Sequence, residues 1–303
     1  MTKLLDDQPT ALRPFDQRSQ SLAQDCKLQS YWRNMPTTFC LINQKGGCGK
    51  SSTCFHLAGA FAAQGANVLL LDMDPQGSLS QGFLGSSIVE SLESDQTLAM
   101  LFDEARFFAK RDQILRPTQF EGITLCPANQ LLAPFNAPEP EKTGMLQYAI
   151  REFVAEQSGF DIVLIDCPPN LYRCSWTAMV AADQVLIPVP PEDFGTQGLR
   201  AVHQCVEQVR SLNPNLQDLK HLVTRSDCRL LVHRMYEQKL RDMYGETVME
   251  TVIPEASAFK VALTRRCPVQ FHDSKSKAAK LTNCLAREIL DRIGTNESTR
   301  KVA

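Results

Sequence analysis

The sequence has no long apolar run, and runs such as Val68 to Leu71 fall far short of the roughly 20 residues that a membrane span needs. None of its 11 cysteines forms a C-x-x-C pair, so a zinc ribbon or a thioredoxin-type site has no support. The first twenty residues are polar and include Asp6 and Asp7, which is not typical of a secretory signal. These absences predict a cytoplasmic protein with reduced thiols and no stable membrane insertion.

The chain also lacks a strong net charge, because its 32 basic and 34 acidic residues sum to −2, and this excludes a histone-like polycation. The charge is nevertheless unevenly distributed. Residues 51–200 carry 8 basic and 18 acidic side chains, whereas residues 251–303 carry 10 basic and 5 acidic ones. The sequence therefore predicts an acidic body with a basic C-terminal region that could bind a polyanion.

Short apolar runs alternate with stretches of helical periodicity from residue 37 onward. Runs without polar alternation are typical of strands buried on both faces, and helices between them imply crossovers between parallel strands. The predicted strands are Phe39–Ile42, Val68–Leu71, Ile123–Leu125, Ile162–Ile165, Val185–Ile187, His221–Val223 and Thr251–Ile253. The predicted helices include Met145–Gln157, Gly198–Leu212, Leu230–Tyr244 and Leu281–Ile293. We therefore predict one α/β domain with a doubly wound, mostly parallel sheet.

The predicted domain covers residues 37–295 and lies between two tails. Residues 1–36 are polar and contain three prolines that punctuate them, so we predict a flexible N-terminal tail with a short helix around Leu22 to Trp32. Residues 296–303 are predicted to form a C-terminal tail.

A glycine-rich segment with the sequence NQKGGCGKSS lies between the first predicted strand and the next helix, at residues 43–52. Glycines let the main chain approach phosphate oxygens, and the helix N-terminus adds a positive potential. In such a P-loop, Lys50 reaches the β- and γ-phosphates and the Ser51 hydroxyl binds Mg²⁺. The predicted nucleotide-binding residues of this loop are Lys45, Gly46, Gly47, Cys48, Gly49, Lys50, Ser51 and Ser52.

This loop resembles the deviant Walker A motif, K-G-G-x-G-K-[ST], of the ParA/MinD/Soj class of P-loop ATPases, because a second lysine, Lys45, opens the turn. The resemblance covers about residues 38–290 and includes the segments LLDMDPQG at 70–77, DIVLIDCPP at 161–169, ADQVLIPV at 182–189, IPE at 253–255, and 268–277. The Asp-Pro-Gln-Gly variant at 74–77 points to the ParA branch. The resemblance implies a SIMIBI-like fold, ATP and Mg²⁺ as ligands, and a weak ATPase activity that a partner and DNA stimulate.

Three carboxylates follow two of the predicted strands. Asp166 ends a strand at the sheet edge where open α/β sheets bind ligands, so we predict that it holds Mg²⁺, directly or through a water. Asp74 follows another apolar run and is predicted to orient or deprotonate the attacking water, which makes Asp74, Lys45 and Lys50 the catalytic set. Asp72 is equally compatible with a structural hydrogen bond and with contact to the metal.

The resemblance also assigns roles to single residues. In the family, the lysine at the position of Lys45 crosses a dimer interface to the partner's nucleotide, which implies an ATP-dependent homodimer. Pro254 is predicted to pack against adenine, and Arg229 to lie near the nucleotide. Cys48 replaces a small apolar residue; it is either a filler or a thiol whose pKa is lowered by the helix N-terminus.

Five basic residues near the C-terminus form the predicted DNA-binding set: Arg265, Arg266, Lys275, Lys277 and Lys280. If a helix begins near Ser276, Lys277 and Lys280 lie on one side of it. ParA-type ATPases bind DNA without sequence preference through this region, and the alternative is an ordinary solvated helix face. His221 and His233 have no partner at metal-ligand spacing and are predicted to lie on helix or strand surfaces.

The leading hypothesis is an ATP-dependent dimerising ATPase that binds nucleoid DNA and partitions a plasmid or chromosome, with a ParB-like or other cargo adaptor stimulating hydrolysis. One alternative retains the ATPase and replaces the cargo with a chemoreceptor cluster or a microcompartment. A MinD-like membrane ATPase is disfavoured because the last ten residues, GTNESTRKVA, are nearly all polar. An iron–sulfur reductase is disfavoured because prolines follow Cys126 and Cys167. A nucleotide-locked scaffold without turnover is the non-enzymatic alternative.

Overall fold

The computed structural model describes residues 36–103, 111–191, 196–217 and 219–300, which form a seven-stranded sheet with helices packed against it. The strands are β1 (Thr37–Leu41), β2 (Val68–Asp72), β3 (Arg116–Pro117), β4 (Ile123–Cys126), β5 (Ile162–Asp166), β6 (Gln184–Val189) and β7 (Leu219–Val223). The α-helices are α1 (Lys50–Ala62), α2 (Ser78–Leu84), α3 (Ser86–Glu90), α4 (Ala149–Ala155), α5 (Arg173–Ala181), α6 (Thr196–Val209), α7 (Leu231–Tyr244), α8 (Ser257–Thr264), α9 (Val269–His272) and α10 (Lys277–Arg300). The 3-10 turns are Ser94–Gln96, Leu98–Phe102, Arg111–Ile114, Gln130–Phe135, Pro140–Tyr148 and Gly245–Thr247.

The strand order in the sheet is β3-β4-β2-β5-β1-β6-β7, and every neighbouring pair is parallel except β3 with β4. This confirms the predicted α/β fold with a doubly wound, mostly parallel sheet. β1 lies between β5 and β6, and the register places Leu41 opposite Asp166, with Asp72 opposite Asp166 from the other side. The carboxyl ends of β1, β2 and β5 therefore meet at one edge of the sheet.

The core has two layers because strand side chains alternate between the two faces of the sheet. In β2, Leu69 and Leu71 belong to one hydrophobic cluster, while Val68 and Leu70 belong to the other. All four are fully buried. Each such side chain contributes about 1.5–3 kcal/mol of transfer free energy, so burial on both faces fixes the position of the strand.

The sequence predictions for the edges of the sheet were wrong in two places. Residues Thr251–Ile253, predicted as a strand, lie outside the seven strands; beside β7 only isolated bridges form, between His221 and Val248 and between Ser226 and Pro254. The N–H groups of Glu250 and Thr251 donate to the Glu288 carboxylate, at 2.7 and 2.9 Å, instead of to β7, and this interrupts the ladder. The short edge strand β3 was missed because it contains only two residues, one of them Pro117.

Two helix boundaries also differ from the predictions. The predicted helix at 145–157 becomes the short α4, because residues 145–148 belong to the 3-10 turn Pro140–Tyr148, which is kinked at Gly144 (φ 65°, ψ −137°). Helix α10 continues through Gly294 to Arg300, past residue 295, where the sequence placed the end of the domain. The predicted tail and short helix within residues 1–35, and residues 301–303, lie outside the described residues. Over the residues that the structure describes, no helix is both long enough and apolar enough to cross a bilayer.

His221 and His233 were predicted to lie on helix or strand surfaces, and this was wrong. Helices α6 and α7 cover His221 of β7, and the side chain of His233 in α7 turns inward. His221 is fully buried, and its ring stacks on Tyr244 with centroids 4.2 Å apart. His221 Nδ1 lies 3.0 Å from Thr247 Oγ1, and its Nε2 lies 3.0 Å from His203 Nε2. His233 is also buried and accepts a hydrogen bond from the backbone of Asp227.

Candidate functional site

A cavity of about 430 Å³ opens at the carboxyl edge of the sheet, where β1 ends. One wall is the glycine-rich loop with the first turns of α1, to which Thr224 and Arg225 after β7 are bonded, and the other wall comes from residues 253–256 and from α8 and α10. Its lining includes Gly46, Gly47, Gly49, Lys50, Ser51, Ser52, Asp74, Thr224, Arg225, Pro254 and Glu255. The structure therefore brings most of the predicted nucleotide-binding residues together, including Pro254 from a distant part of the chain.

The loop owes its shape to two glycines and one asparagine. Gly47 (φ 70°) and Gly49 (φ 98°) adopt left-handed conformations that disfavour residues with a Cβ. Asn43 Nδ2 donates to the carbonyl of Pro188 in β6 at 2.7 Å, and its Oδ1 accepts from the backbone N–H of Lys45 at 2.9 Å. Asn43 thus ties the loop to the sheet, a role that the sequence analysis did not assign.

Lys50 begins α1 and is folded onto the loop. Its side chain is nearly buried, with 7% of the residue exposed, and its Nζ donates to the carbonyls of Asn43 at 3.1 Å and Lys45 at 3.4 Å. These are exchangeable partners for an ammonium group that could instead donate to phosphate oxygens. Lys45 itself is exposed on the loop.

The carboxylates converge behind this loop. Asp166 is fully buried at the end of β5, and neither of its side-chain oxygens has a well-formed hydrogen bond within the described residues. Burial raises the pKa of Asp166 well above its ordinary value, and the charge of Asp72 adds to the rise, whereas Ser51 and Lys50 oppose it. A buried carboxylate beside a serine hydroxyl provides the hard oxygen ligands that Mg²⁺ prefers, so the residues present fit this ion.

The other two carboxylates differ in their surroundings. Asp72 accepts hydrogen bonds from the Ser80 hydroxyl at 2.6 Å and the Ser80 N–H at 2.8 Å, which supports the structural alternative for this residue. Burial raises the pKa of Asp72 to about 7 despite these bonds. Asp74 lines the cavity, and its Oδ1 accepts from the N–H of Gln76 at 2.9 Å, so the orientation of the carboxylate is fixed.

Cys48 is buried in the loop, 3.9 Å from Lys50 Nζ. Burial raises the pKa of its thiol, and the nearby Lys50 charge only partly opposes that rise. This is the opposite of the lowered pKa that one of the two sequence interpretations required. The structure therefore favours Cys48 as a small packing residue.

The arginine at the cavity is Arg225, not the predicted Arg229. The Arg229 side chain is 86% exposed and pairs with Asp227 at 2.6 Å. Arg225 Nη1 donates to the carbonyl of Gly47 at 2.7 Å, and its Nε donates to Glu255 Oε2 at 3.0 Å. The sequence analysis missed Arg225 because a lone arginine after a strand carries no motif, and only the fold brings residues 47 and 225 together.

The predicted DNA-binding residues lie away from the cavity lining. All five are exposed, at the end of α8 and around the start of α10. The Arg266 guanidinium lies against Gly85, where an added Cβ would come within 2.7 Å of its Cζ, so this residue also has a packing role. Lys277 and Lys280 are exposed on the first turn of α10, while Ala278 and Ala279 face the core.

These features define a P-loop protein: the sheet is mostly parallel and its central strand leads into a glycine-rich loop. A lysine starts the following helix, and a buried aspartate ends the neighbouring strand. Comparison with known proteins supports this class. A family model described as an AAA domain matches residues 37–218. The chain belongs to the ParA/MinD family of partition ATPases.

Three relatives illustrate this membership. The chromosome partitioning protein ParA of Caulobacter vibrioides is 32% identical, with 83% of this chain and 93% of the relative covered. The protein of the same name from Myxococcus xanthus is 28% identical, with 90% of this chain and 94% of the relative covered. Among solved structures, a cobyrinic acid a,c-diamide synthase from Mycobacterium smegmatis with bound ATP analogue and magnesium is 26% identical, covers 86% of this chain and 97% of its own, and superposes with a TM-score of 0.71.

Proposed function

We propose that this protein is a Mg²⁺-dependent ATPase that dimerises with ATP, binds DNA without sequence preference and partitions a plasmid or chromosome. The observation that carries the proposal is the buried carboxylate of Asp166, which makes no well-formed hydrogen bond in the described residues and lies beside Ser51 at the base of a P-loop. The names of its relatives, chromosome partitioning proteins, support the biological role. The ATP analogue and magnesium in a similar structure support the ligands.

Each residue of the loop would contact a defined part of the triphosphate. Lys50 Nζ exchanges its two carbonyl partners for β- and γ-phosphate oxygens, and the loop N–H groups donate to the same phosphates. Ser51 and Asp166 would hold Mg²⁺, Asp166 directly or through a water; the ion supplies charge neutralisation for the leaving phosphates. Pro254 would pack against adenine on the opposite wall.

Hydrolysis would depend on Asp74 and Lys45. The Asp74 carboxylate accepts a hydrogen bond from an attacking water and so aligns it with the γ-phosphorus. Lys45 would reach the phosphates of the nucleotide bound to the partner subunit, and its exposure on the loop supports this role. Loss of the γ-phosphate then removes contacts that exist only in the dimer, so that the nucleotide state sets the oligomeric state.

DNA binding would follow from dimerisation. Two copies of the basic set (Arg265, Arg266, Lys275, Lys277 and Lys280) double the phosphate contacts, so ATP raises DNA affinity by bivalency. Such binding weakens with salt at a log–log slope of about −0.9 per phosphate neutralised. A nucleoid-associated, cytoplasmic location and a ParB-like or other cargo adaptor that stimulates hydrolysis complete the proposal.

Sedimentation velocity with ATP, ADP and no nucleotide tests the switch. We expect ATP to produce dimers of the wild type, and Lys45→Ala to remain folded, bind ATP and stay monomeric, because only the contact across the interface is lost. Lys239→Ala, an exposed lysine of α7, is the matched control and should dimerise normally. Normal ATP-dependent dimers of Lys45→Ala would contradict the role of Lys45, and a wild type that stays monomeric with ATP would contradict the proposal as a whole.

A further inference from the structure

Two consecutive residues after β7 hold two consecutive carbonyls of the glycine-rich loop. Thr224 Oγ1 donates to the carbonyl of Cys48 at 2.7 Å, and Arg225 Nη1 donates to the carbonyl of Gly47 at 2.7 Å. Thr224 is buried, and both residues line the cavity. The loop is therefore held by a segment that is 176 to 178 residues distant in sequence.

These two bonds determine which way the neighbouring N–H groups point. A trans peptide is planar, and its C=O and N–H groups point in opposite directions. The described residues contain no cis peptide bond. A hydrogen bond that fixes the Gly47 carbonyl therefore also fixes the N–H of Cys48, and one that fixes the Cys48 carbonyl fixes the N–H of Gly49. Both N–H groups are then turned away from the segment after β7.

We propose that Thr224 and Arg225 are positioning residues that orient the N–H groups of Cys48 and Gly49 toward the phosphates of the bound nucleotide. The inference rests on the proposed binding of ATP and adds two residues outside the P-loop to the phosphate site. Without these bonds, the glycine-rich loop would sample other peptide orientations, because glycine has few steric limits. Part of the binding free energy of the phosphates would then be lost in ordering the loop.

The position of Arg225 is fixed by its backbone conformation and by an ion pair. Its backbone is left-handed (φ 55°), a conformation that is uncommon for a residue with a Cβ and that clusters at functional sites. Its Nε donates to Glu255 Oε2 at 3.0 Å, while Glu255 Oε1 pairs with Lys260. The Arg225 side chain is 43% exposed, so this ion pair contributes little stability, and the geometry of the guanidinium is the feature that matters.

The test is isothermal titration of the purified full-length chain with ATP and, as a probe of phosphate contacts alone, with inorganic pyrophosphate. We expect Arg225→Met to weaken the binding of both ligands about tenfold or more, because a charge-assisted hydrogen bond to the loop is lost. Thr224→Val keeps the shape of the side chain and should also weaken both. Arg225→Lys restores one donor but not the fork that spans Gly47 and Glu255, so it should recover part of the affinity.

Arg229→Met is the matched control, because it removes the same charge from the same segment, while the 86% exposed Arg229 side chain pairs with Asp227 and does not line the cavity. It should bind both ligands like the wild type. The melting temperature of ligand-free Arg225→Met should stay within a few degrees of the wild-type value, since a partly exposed ion pair contributes little to stability. A merely structural role would lower this temperature and leave the pyrophosphate affinity unchanged.

Three outcomes would overturn the inference. Wild-type affinity of Arg225→Met for both ligands would show that the bond to Gly47 does not orient the loop. Equal losses in Arg225→Met and Arg229→Met would assign the effect to charge alone. A wild-type chain that binds neither ATP nor pyrophosphate would overturn the proposed function and the inference with it, whereas a wild type that binds both, with unchanged variants, would overturn the inference only.

Discussion

Protonation of His221 should destabilise the fold as the pH falls, and the size of the effect can be worked out from its surroundings. Thr247 Oγ1 donates to the carbonyl of Tyr244, so it accepts the proton on His221 Nδ1, and His221 Nε2 is left to accept from His203. A second proton on His221 has no acceptor in this arrangement. Burial, with the charges of His203 and Lys220, accordingly lowers the pKa of His221 to about 3.

The sign follows from the two protonation states. In the unfolded chain His221 takes up a proton near pH 6.5, whereas the folded chain keeps it neutral down to about pH 3. Its contribution to stability is therefore fully present above pH 6.5 and is lost progressively below it. Between pH 7.5 and pH 5 the loss is about 2 kcal/mol, since each pH unit well below 6.5 costs about 1.4 kcal/mol.

The total stability of the wild type would not reveal this loss, because Asp72 acts in the opposite direction. Its pKa is about 7 in the folded state and 3.8 in the unfolded state, so lowering the pH from 7.5 to 5 favours folding through this group. The non-titrating variant His221→Asn removes the ambiguity, because Asp72 is common to both proteins. Subtracting the two pH dependences leaves the contribution of His221.

The measurement is urea unfolding at pH 7.5 and pH 5.0, followed by circular dichroism and extrapolated linearly to water. We expect the wild type to lose about 2 kcal/mol more than His221→Asn between the two pH values, although the variant is less stable at pH 7.5. Equal losses in the two proteins, within about 0.5 kcal/mol, would refute the reasoning. So would an NMR titration that places the pKa of folded His221 near its ordinary value.

Two further predictions concern the site. Asp166→Asn should weaken Mg²⁺-dependent ATP binding about tenfold or more, because it removes a carboxylate ligand, and calorimetry checks this. It should not lower the melting temperature of the ligand-free protein, because neither oxygen of the Asp166 side chain makes a well-formed hydrogen bond in the described residues. An unchanged affinity would contradict the metal role. The double variant Lys277→Ala/Lys280→Ala should bind DNA more weakly in the presence of ATP, and the slope of its affinity against salt concentration should fall by about two phosphate contacts. The control Lys239→Ala should change neither quantity. An unchanged slope in a filter-binding assay would remove α10 from the DNA site.

The sequence predicted the central part of the fold well, for a physical reason. Strands buried on both faces, such as β2, contain continuous apolar residues, and this pattern depends only on local composition. The P-loop was equally visible, because two left-handed glycines and a lysine at a helix start are required next to one another in the chain. Elements at the edge of the sheet, such as β3, were missed because two residues leave no periodicity to detect.

The parts of the site that the sequence could not predict depend on contacts between distant residues. Arg225 and Arg229 are indistinguishable as isolated arginines, and only the position of β7 next to β6 places the former beside Gly47. The same is true of His221, whose burial depends on the covering helix α7. The proposed DNA-binding residues remain predictions, since exposure on α8 and α10 is compatible both with binding and with ordinary solvation.

The position of β1 in the middle of the sheet determines when the phosphate pocket can form during synthesis on the ribosome. Both neighbours of β1 are synthesised much later than β1 itself; Cys40 and Cys167, whose sulfur atoms lie 3.3 Å apart, are separated by 127 residues. The segment after β7 that holds the loop emerges later still. A nascent chain on the ribosome therefore cannot assemble its phosphate pocket until most of the polypeptide has emerged, and an abortive fragment that ends before β5 will not capture nucleotide.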